Sequence, residues 1–268
     1  MRLLNSWSWQ FLRQWRAHLS TWSTLRFWFH ERRRAKGKAQ GEQGLMCLSV
    51  TCPAIGDVYI RKTGSDENTL SEVVLNGVYN EVIQAVSEAN YVIDLGANIG
   101  LATLIFAERY KKCHIVALEP DERNFELLER NVEPLVREGR CRALQRAIWD
   151  ESTTLSLAVP SGDERFDAVR IVPGGEGQQV STITMGNLLA DIAFPRVDIL
   201  KVDIEGAEVQ LFAGDLAWLN RIRAIAIEFH GDSREASRFD HVMQDRGFKV
   251  VSSQRHTVVA LRRDPPTP

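Results

Sequence analysis

The sequence lacks three features that would each have defined a class of protein. Its four cysteines (Cys47, Cys52, Cys113 and Cys141) form no C-x-x-C pair and have no histidine at zinc spacing, so we predict neither a disulfide framework nor a structural zinc site. No apolar run approaches the roughly 18 residues of a membrane span, and no apolar segment precedes a small-residue cleavage site. We therefore expect a cytoplasmic protein with free thiols.

Charge is unevenly distributed along the chain. The formal net charge is −2, yet residues 1–38 hold nine of the 33 lysines and arginines and a single acid, Glu31. The remainder has 24 basic and 34 acidic residues, a net charge of −10. Such a domain is not built to bind nucleic-acid phosphates, and we predict no nucleic-acid partner.

The N-terminal segment has aromatic residues at helical spacing. Five of the seven tryptophans lie in the first 29 residues, and apolar residues recur at steps of three or four, on one face of a helix: Leu4, Trp7, Phe11, Trp15, Leu19, Trp22, Leu25 and Phe29. Together with the ERRRAKGK stretch, this predicts an amphipathic extension over residues 1–44 that ends in a hinge over 37–44. Residues 4–29 could contact a membrane surface peripherally, dock on the chain's own domain, or mediate self-association.

From residue 45, short β-rich runs alternate with helical stretches, which predicts a parallel sheet wrapped by helices. The fold class we predict is α/β, a doubly wound, mostly parallel, Rossmann-like sheet that fills a domain over 45–268. Its last two strands form an antiparallel hairpin, and TTLSLAV and VSTITM form an antiparallel elaboration around the turn PGGEGQ. Helices are predicted over 99–110 and 121–131. The seven predicted core strands are 91–96, 114–119, 141–148, 197–204, 223–230, 248–253 and 257–263.

The glycine-rich turn DLGANIG, Asp94–Gly100, follows the first core strand and opens a helix, where α/β sheets bind ligands. Gly96 allows a tight turn, and Gly100 should let the helix approach the strand. A dinucleotide fingerprint has a glycine where this chain has Asn98. Asp94 would repel a pyrophosphate but attract an ammonium group, and Glu119 ends the next strand, where an acid accepts ribose hydroxyls. These acids favour S-adenosylmethionine over NAD as the cofactor.

Several blocks in order make the sequence resemble the FkbM-type methyltransferase family. They are RKTGSDENTLSEVVLNGVY (61–79), VIDLGANIG (92–100), ALEPDERNFELLERN (117–131), ILKVDIEGAE (199–208) and IAIEFH (225–230). The resemblance implies a class I methyltransferase sheet and O-methylation of a small molecule or glycan. It also implies a site in which Asp94, Gly96, Ala97, Asn98 and Gly100 hold the methionine end, Glu119 holds the ribose, and Ala147 lies near the adenine.

Four ionisable side chains occur at the ends of the fourth and fifth core strands. Lys201 and Asp203 are two residues apart and share a face, as do Glu228 and His230. Because ionisable groups in apolar strands are costly unless paired, we predict that Lys201, Asp203 and Glu228 form a network that orients the acceptor. Asp203 or His230 would then be the general base, although His230 could equally serve a structural hydrogen bond.

Two further acids flank Gly206 at the start of the next helix. Helix capping explains both of them at least as well as catalysis does, and Glu205, together with Tyr79, is also predicted to contact the substrate. Asp203, Glu205 and Glu228 could instead hold Mg²⁺. Lys201 already supplies a positive charge beside them, so we predict that no metal is required.

The leading hypothesis is an S-adenosylmethionine-dependent enzyme that methylates a hydroxyl of a sugar, natural product or cell-envelope saccharide. An NAD-dependent oxidoreductase or epimerase is disfavoured by Asp94 and Asn98 and by the lack of a Tyr-x-x-x-Lys pair. The non-enzymatic alternative is a membrane-recruited binding protein that keeps a vestigial cofactor fold.

Overall fold

The computed structural model describes residues 6–36, 44–158, 170–172, 177–251 and 257–263. Several predicted features fall outside these ranges: Leu4, the hinge apart from Gly44, most of the PGGEGQ turn, and residues 252–253 of the sixth core strand. The chain divides into two compact units, Met1–Gly77 and Val78–Pro268. Residues 45–77 therefore group with the N-terminal helices. The predicted division into an extension over 1–44 and a domain over 45–268 remains a prediction.

The first unit combines helices with a two-stranded antiparallel hairpin. Its elements are α1 Ser6–Trp15, α2 Thr21–Arg34, β1 Leu45–Val50, β2 Gly56–Arg61, α3 Asp66–Leu70 and a π-helical turn Ser71–Asn76. The side chain of Ser20 caps α2 by accepting the Ser23 N–H. The N-terminal apolar pattern, predicted as one helix, is therefore two helices separated at this cap.

The buried side chains of this unit come from both helices and the hairpin. Trp15 and Phe27 pack edge to face with their ring centroids 5.1 Å apart. The Ser49 N–H of β1 donates to Ser23 Oγ at 2.8 Å, and Leu19 bridges to Val50. Part of the apolar stripe thus forms a core within its own unit. Within the described residues, no helix combines the length and apolarity needed to cross a bilayer.

The second unit is built on a seven-stranded sheet with the order β12-β13-β11-β10-β3-β4-β5. These strands are β3 Tyr91–Leu95, β4 His114–Leu118, β5 Cys141–Leu144, β10 Ile199–Val202, β11 Ala224–Glu228, β12 Phe248–Val251 and β13 Thr257–Arg262. β5, β4, β3, β10 and β11 are parallel, and β13 is antiparallel to both β11 and β12. The predicted count of seven strands and the antiparallel C-terminal hairpin are confirmed.

The region between β5 and β10 differs from the prediction in one respect. The run 141–148, predicted as one strand, is split: β6 Ala147–Ile148 belongs to a second sheet of order β6-β9-β7-β8. The other strands of that sheet are β7 Thr154–Ala158, β8 Arg170–Val172 and β9 Gln178–Ile183. β7 is antiparallel to β9, as predicted, and is also antiparallel to β8, while β6 pairs parallel with β9. The split occurs because β6 takes its backbone partner from β9 rather than from β4.

Helices cover the sheet. They are α4 Asn80–Ala85, α5 Leu101–Arg109, α6 Glu122–Arg137, α7 Met185–Ile192, α8 Glu208–Leu211, a 3₁₀ turn Ala217–Arg221, α9 Ser233–Ala236 and α10 Phe239–Asp245. α6 begins where Asp121 accepts the N–H groups of Arg123 and Asn124. It extends six residues beyond the predicted end at Asn131, because its apolar face continues through Val132 and Leu135, both buried.

Candidate active site

The turn after β3 depends on a glycine at position 96. Gly96 has a φ of +73°, and a Cβ there would lie 1.7 Å from the carbonyl oxygen of Asp203. The N–H groups of Gly96 and Ala97 donate to the Leu118 carbonyl at 2.9 and 2.8 Å. This double constraint ties the turn to the ends of β4 and β10, the neighbours of β3, so the chain requires glycine here.

Gly100 has a different neighbour from the predicted one. A Cβ at Gly100 would lie 2.8 Å from Leu128 Cδ1 and 3.2 Å from Val132 Cγ1. The glycine therefore lets α5 approach α6 rather than the strand. Sequence reasoning also missed Asn131, whose amide donates to the Ile99 carbonyl at 2.8 Å and holds the turn from the α6 side.

Glu119 lies at the end of β4 and faces the turn. Its two carboxylate oxygens accept the backbone N–H groups of Asn98 at 2.8 Å and Asp121 at 3.0 Å. Burial raises the pKa of Glu119 to about 7, against the lowering effect of these two hydrogen bonds. Each oxygen keeps a lone pair for a further donor, in keeping with the predicted role toward ribose hydroxyls.

Asp94 and Lys201 form a buried ion pair that was not among their predicted roles. Lys201 Nζ lies 3.0 Å from Asp94 Oδ1, and both side chains are almost completely inaccessible to solvent. Asp94 also accepts the Thr103 hydroxyl at 2.7 Å, and Lys201 donates to the carbonyls of Leu95 and Gly96. Burial by itself lowers the pKa of Lys201, but the combined effect of Asp94, Tyr79 and Asp203 outweighs it and raises that pKa. The pair holds the glycine turn, and the predicted contacts of Asp94 with the cofactor and of Lys201 with the acceptor remain predictions.

A pocket opens at the carboxyl ends of the sheet strands. Its lining combines predicted residues with residues that sequence reasoning missed: Leu95, Gly96, Asn98, Leu118, Glu119, Pro120, Asn124, Arg146, Ala147, Ile148, Asp203, Ile204 and Glu205. Asp94, Ala97 and Gly100 shape the turn without lining the pocket. Two of the missed residues lie close in sequence to predicted ones: Asn124 lies a few positions after Glu119, and Arg146 directly precedes Ala147. This proximity in sequence was the signal that could have identified them. The acids that face the pocket are Glu119, Asp203 and Glu205, whereas Asp94 does not.

A histidine and three carboxylates adjoin this pocket. His230 Nδ1 lies 2.9 Å from Oε1 of the fully buried Glu208, and Nε2 lies 3.5 Å from Glu205 Oε2 and 3.8 Å from Asp203 Oδ1. Burial lowers the pKa of His230, but the Glu208 hydrogen bond and the charges of Glu205 and Asp203 outweigh this and raise the pKa to about 9. The sequence allowed either helix capping or a catalytic role for Glu208. Its carboxylate accepts the Gly206 N–H and also orients the imidazole of His230.

The remaining predicted residues border this cluster. Asp203 lies 3.8 Å from Lys201 Nζ, so that pair of the predicted network is present. Glu228 is the last residue of β11 and half-buried. Tyr79 is buried against Phe106, and its pKa is raised mainly by burial and further by the charges of Asp203 and Glu228. The predicted substrate contacts of Tyr79 and Glu205 remain predictions.

A divalent cation could be held by one group of side chains. Ligand atoms of Asp203, Glu205 and His230 lie within 4.8 Å of one another. Two hard oxygens and one imidazole suit a transition metal better than Mg²⁺. Glu228, which we considered as a magnesium ligand from the sequence, is not in this group.

The sheet order, the glycine turn at a strand end and the acid at the end of the neighbouring strand are those predicted for a class I methyltransferase fold. A model of the methyltransferase FkbM domain matches residues 94–250. The chain belongs to the FkbM methyltransferase family.

Several curated relatives carry methyltransferase names. The chain is 24% identical over 184 residues to "Methyltransferase 1" of Beauveria bassiana, covering 60% of this chain and 73% of that protein. It is 24% identical over 193 residues to the 31-O-demethyl-FK506 methyltransferase FkbM of Streptomyces tacrolimicus, covering 61% and 74%. It is 26% identical over 156 residues to the hexuronic acid methyltransferase AglP of Haloferax volcanii, covering 56% and 59%.

Solved structures are more distant. The precorrin-6y C5,15-methyltransferase of Geobacter metallireducens aligns over 69% of this chain and 88% of its own, with 12% identity and a TM-score of 0.42.

Proposed function

We propose that this chain is an S-adenosylmethionine-dependent O-methyltransferase that acts on a hydroxyl of a sugar or natural product. One observation carries the proposal: the pocket bounded by Gly96, Glu119 and Ala147 also includes Asp203 and Glu205, which adjoin His230. A nucleoside site and an acid–base group are therefore contiguous. Methyl transfer to a hydroxyl needs both, because the acceptor must be positioned and must lose its proton.

The pocket residues fit the proposed cofactor. Glu119 has lone pairs for the ribose hydroxyls, and Asn98 Oδ1 is buried with no hydrogen-bond partner among the described residues, which leaves it as an acceptor for a ligand N–H. In place of Asp94, the carboxylates of Asp203 and Glu205 offer negative charge toward an ammonium or sulfonium group. When bound, S-adenosylmethionine supplies an activated methyl group that needs no further activation by the protein.

We propose His230 as the general base. The buried Glu208 takes the hydrogen bond from Nδ1, so that Nε2 is the nitrogen left to receive the proton of the acceptor hydroxyl. Glu208 then stabilises the imidazolium that forms. Because the pKa of His230 is about 9 without ligands, turnover should rise as the pH approaches that value. Asp203, Glu205 and Glu228 are proposed to position the acceptor.

The acceptor class is supported by the names of two relatives. One relative is named for the 31-O-methylation of FK506 and another for methylation of a hexuronic acid. Both acceptors are small oxygenated molecules. A hydroxyl flanked by ring oxygens or other polar groups would match a site rich in carboxylates.

Cofactor binding tests the first part of this proposal. Thermal shifts should be measured with S-adenosylmethionine, S-adenosylhomocysteine and NAD, since a ligand at about 100 times its dissociation constant stabilises a protein by about 2.7 kcal/mol. Both adenosyl compounds should raise Tm, and Glu119→Ala should abolish the shift. Stabilisation by NAD alone would contradict the proposal and favour an oxidoreductase.

Turnover tests the second part. Methyl transfer to a panel of hexuronic acids and other small alcohols should be followed by mass spectrometry. His230→Gln should lower kcat by about 10²- to 10⁴-fold without weakening S-adenosylhomocysteine binding. The matched control is His241→Gln, an exposed histidine paired with Asp245 on α10, which should leave kcat unchanged.

A further inference from the structure

Helix α2 presents three large apolar side chains to solvent. Trp22, Phe29 and Leu25 are 83%, 59% and 38% exposed. Their spacing of three and four residues places them on one face, opposite the buried Phe27. An exposed row of this kind is uncommon on the surface of a soluble protein and marks an interaction site.

The charges around this row are of one sign. Arg26 and Lys36 are exposed. Helical spacing puts Arg26 on the same side of the helix as Trp22 and Phe29, and Lys36 follows shortly after the helix ends at Arg34. Between residues 21 and 36 the only acid is Glu31. It lies half-buried beside His30 and Arg34 rather than on the exposed row.

We propose that this face of α2 docks on an anionic lipid bilayer surface. Aromatic side chains partition into the headgroup boundary, and flanking basic side chains reach lipid phosphates and serine carboxylates. A second copy of the chain is a poorer partner, because a two-fold contact through this face would bring the same positive charges together. The aromatic centre also differs from a nucleic-acid surface, in which phosphate contacts dominate.

The face is formed before any partner binds. Ser20 caps the helix, the Ser49 N–H bonds to Ser23, and Trp15 packs on Phe27. The 14-residue helix spans about 21 Å and can lie flat on a membrane. Because the helix is already folded, binding does not have to overcome the entropy of ordering the segment.

Vesicle co-sedimentation of the full chain tests the proposal. The probes are phosphatidylcholine vesicles with and without about one-third phosphatidylserine. The wild type should sediment with the anionic vesicles, and added salt should weaken the binding. The double variant Trp22→Ala/Phe29→Ala should lose at least about tenfold in affinity. Arg26→Gln/Lys36→Gln should lose about 25-fold in affinity, at about fivefold per basic residue.

Matched controls come from the exposed side of α6, where Val136→Ala and Arg137→Gln remove an apolar and a basic side chain. Neither should change vesicle binding, and circular dichroism should show every variant folded. Equal binding to neutral vesicles would overturn the anionic-surface proposal. The absence of vesicle binding would also overturn it. This holds if the protein is monomeric, and equally if it forms a dimer that the variant Trp22→Ala/Phe29→Ala dissociates.

Discussion

Replacing Lys201 with methionine should act mainly by lowering the free energy of unfolding of the protein, and not by slowing one step of catalysis. The substitution keeps the length of the side chain and removes its charge, which leaves the Asp94 carboxylate buried without its partner. It also removes the donor that binds the Leu95 and Gly96 carbonyls. The glycine turn would then lose the contact that holds it against β10.

The size of the effect follows from the geometry. Two unit charges 3.0 Å apart attract by about 5 kcal/mol at an effective dielectric constant of about 20. Desolvation of the pair offsets much of this, but removal of one partner costs about 3–5 kcal/mol because the other charge stays buried. Since a typical domain is stable by about 5–15 kcal/mol, Lys201→Met should bring it close to the unfolding threshold.

Urea unfolding followed by circular dichroism measures this loss. The double variant Asp94→Asn/Lys201→Met removes both charges and should recover most of the stability, together with S-adenosylhomocysteine binding. Lys111→Met is the matched surface control, because Lys111 is 66% exposed and pairs with Glu108 one helical turn away, an arrangement worth at most about 1 kcal/mol. The reasoning is refuted if Lys201→Met unfolds at the same urea concentration as Lys111→Met, or if it loses turnover alone.

Three further results are expected. Gly96→Ala should weaken S-adenosylhomocysteine binding at least about a hundredfold, since the added methyl group would collide with the Asp203 carbonyl. The control is Gly139→Ala: Gly139 has a similar positive φ and open space around it, so this variant should cost only about 1 kcal/mol of stability. Equal behaviour of the two variants would contradict this account. Burial raises the pKa of Glu119 to about 7 from 4.5, so ionisation of this buried carboxyl opposes folding. The stability of the ligand-free protein should therefore fall as the pH rises from about 4.5 through 7. The affinity for S-adenosylhomocysteine, measured by calorimetry, should instead rise between about pH 6 and 8 as the carboxylate forms. Both dependences should be absent in Glu119→Gln. Methyl transfer should persist in excess chelator; a loss that added Mn²⁺ or Mg²⁺ restores would instead assign a cation to Asp203, Glu205 and His230.

Most of the sheet was predictable from local patterns. Apolar runs such as those of β3, β10 and β11 are buried on both faces, so each strand could be identified without knowing its neighbours. The run 141–148 was not resolved correctly, because its division depends on which strand supplies backbone hydrogen bonds. The N-terminal stripe was likewise read as one helix, since periodicity alone does not reveal that Ser20 starts a new one.

Sequence alone determined the number of strands in the main sheet, the position of the glycine turn and the family, because these depend on residue type and spacing along the chain. Tertiary structure decided how the charges are used. Asp94 and Lys201 are 107 positions apart in numbering, and only the parallel register of β3 with β10 brings them into a buried pair. In the same way, the chain path after β10 and β11 brings Glu208 to His230. A charged residue in a sequence can face a ligand or another residue, and the choice depends on long-range packing that spacing does not encode.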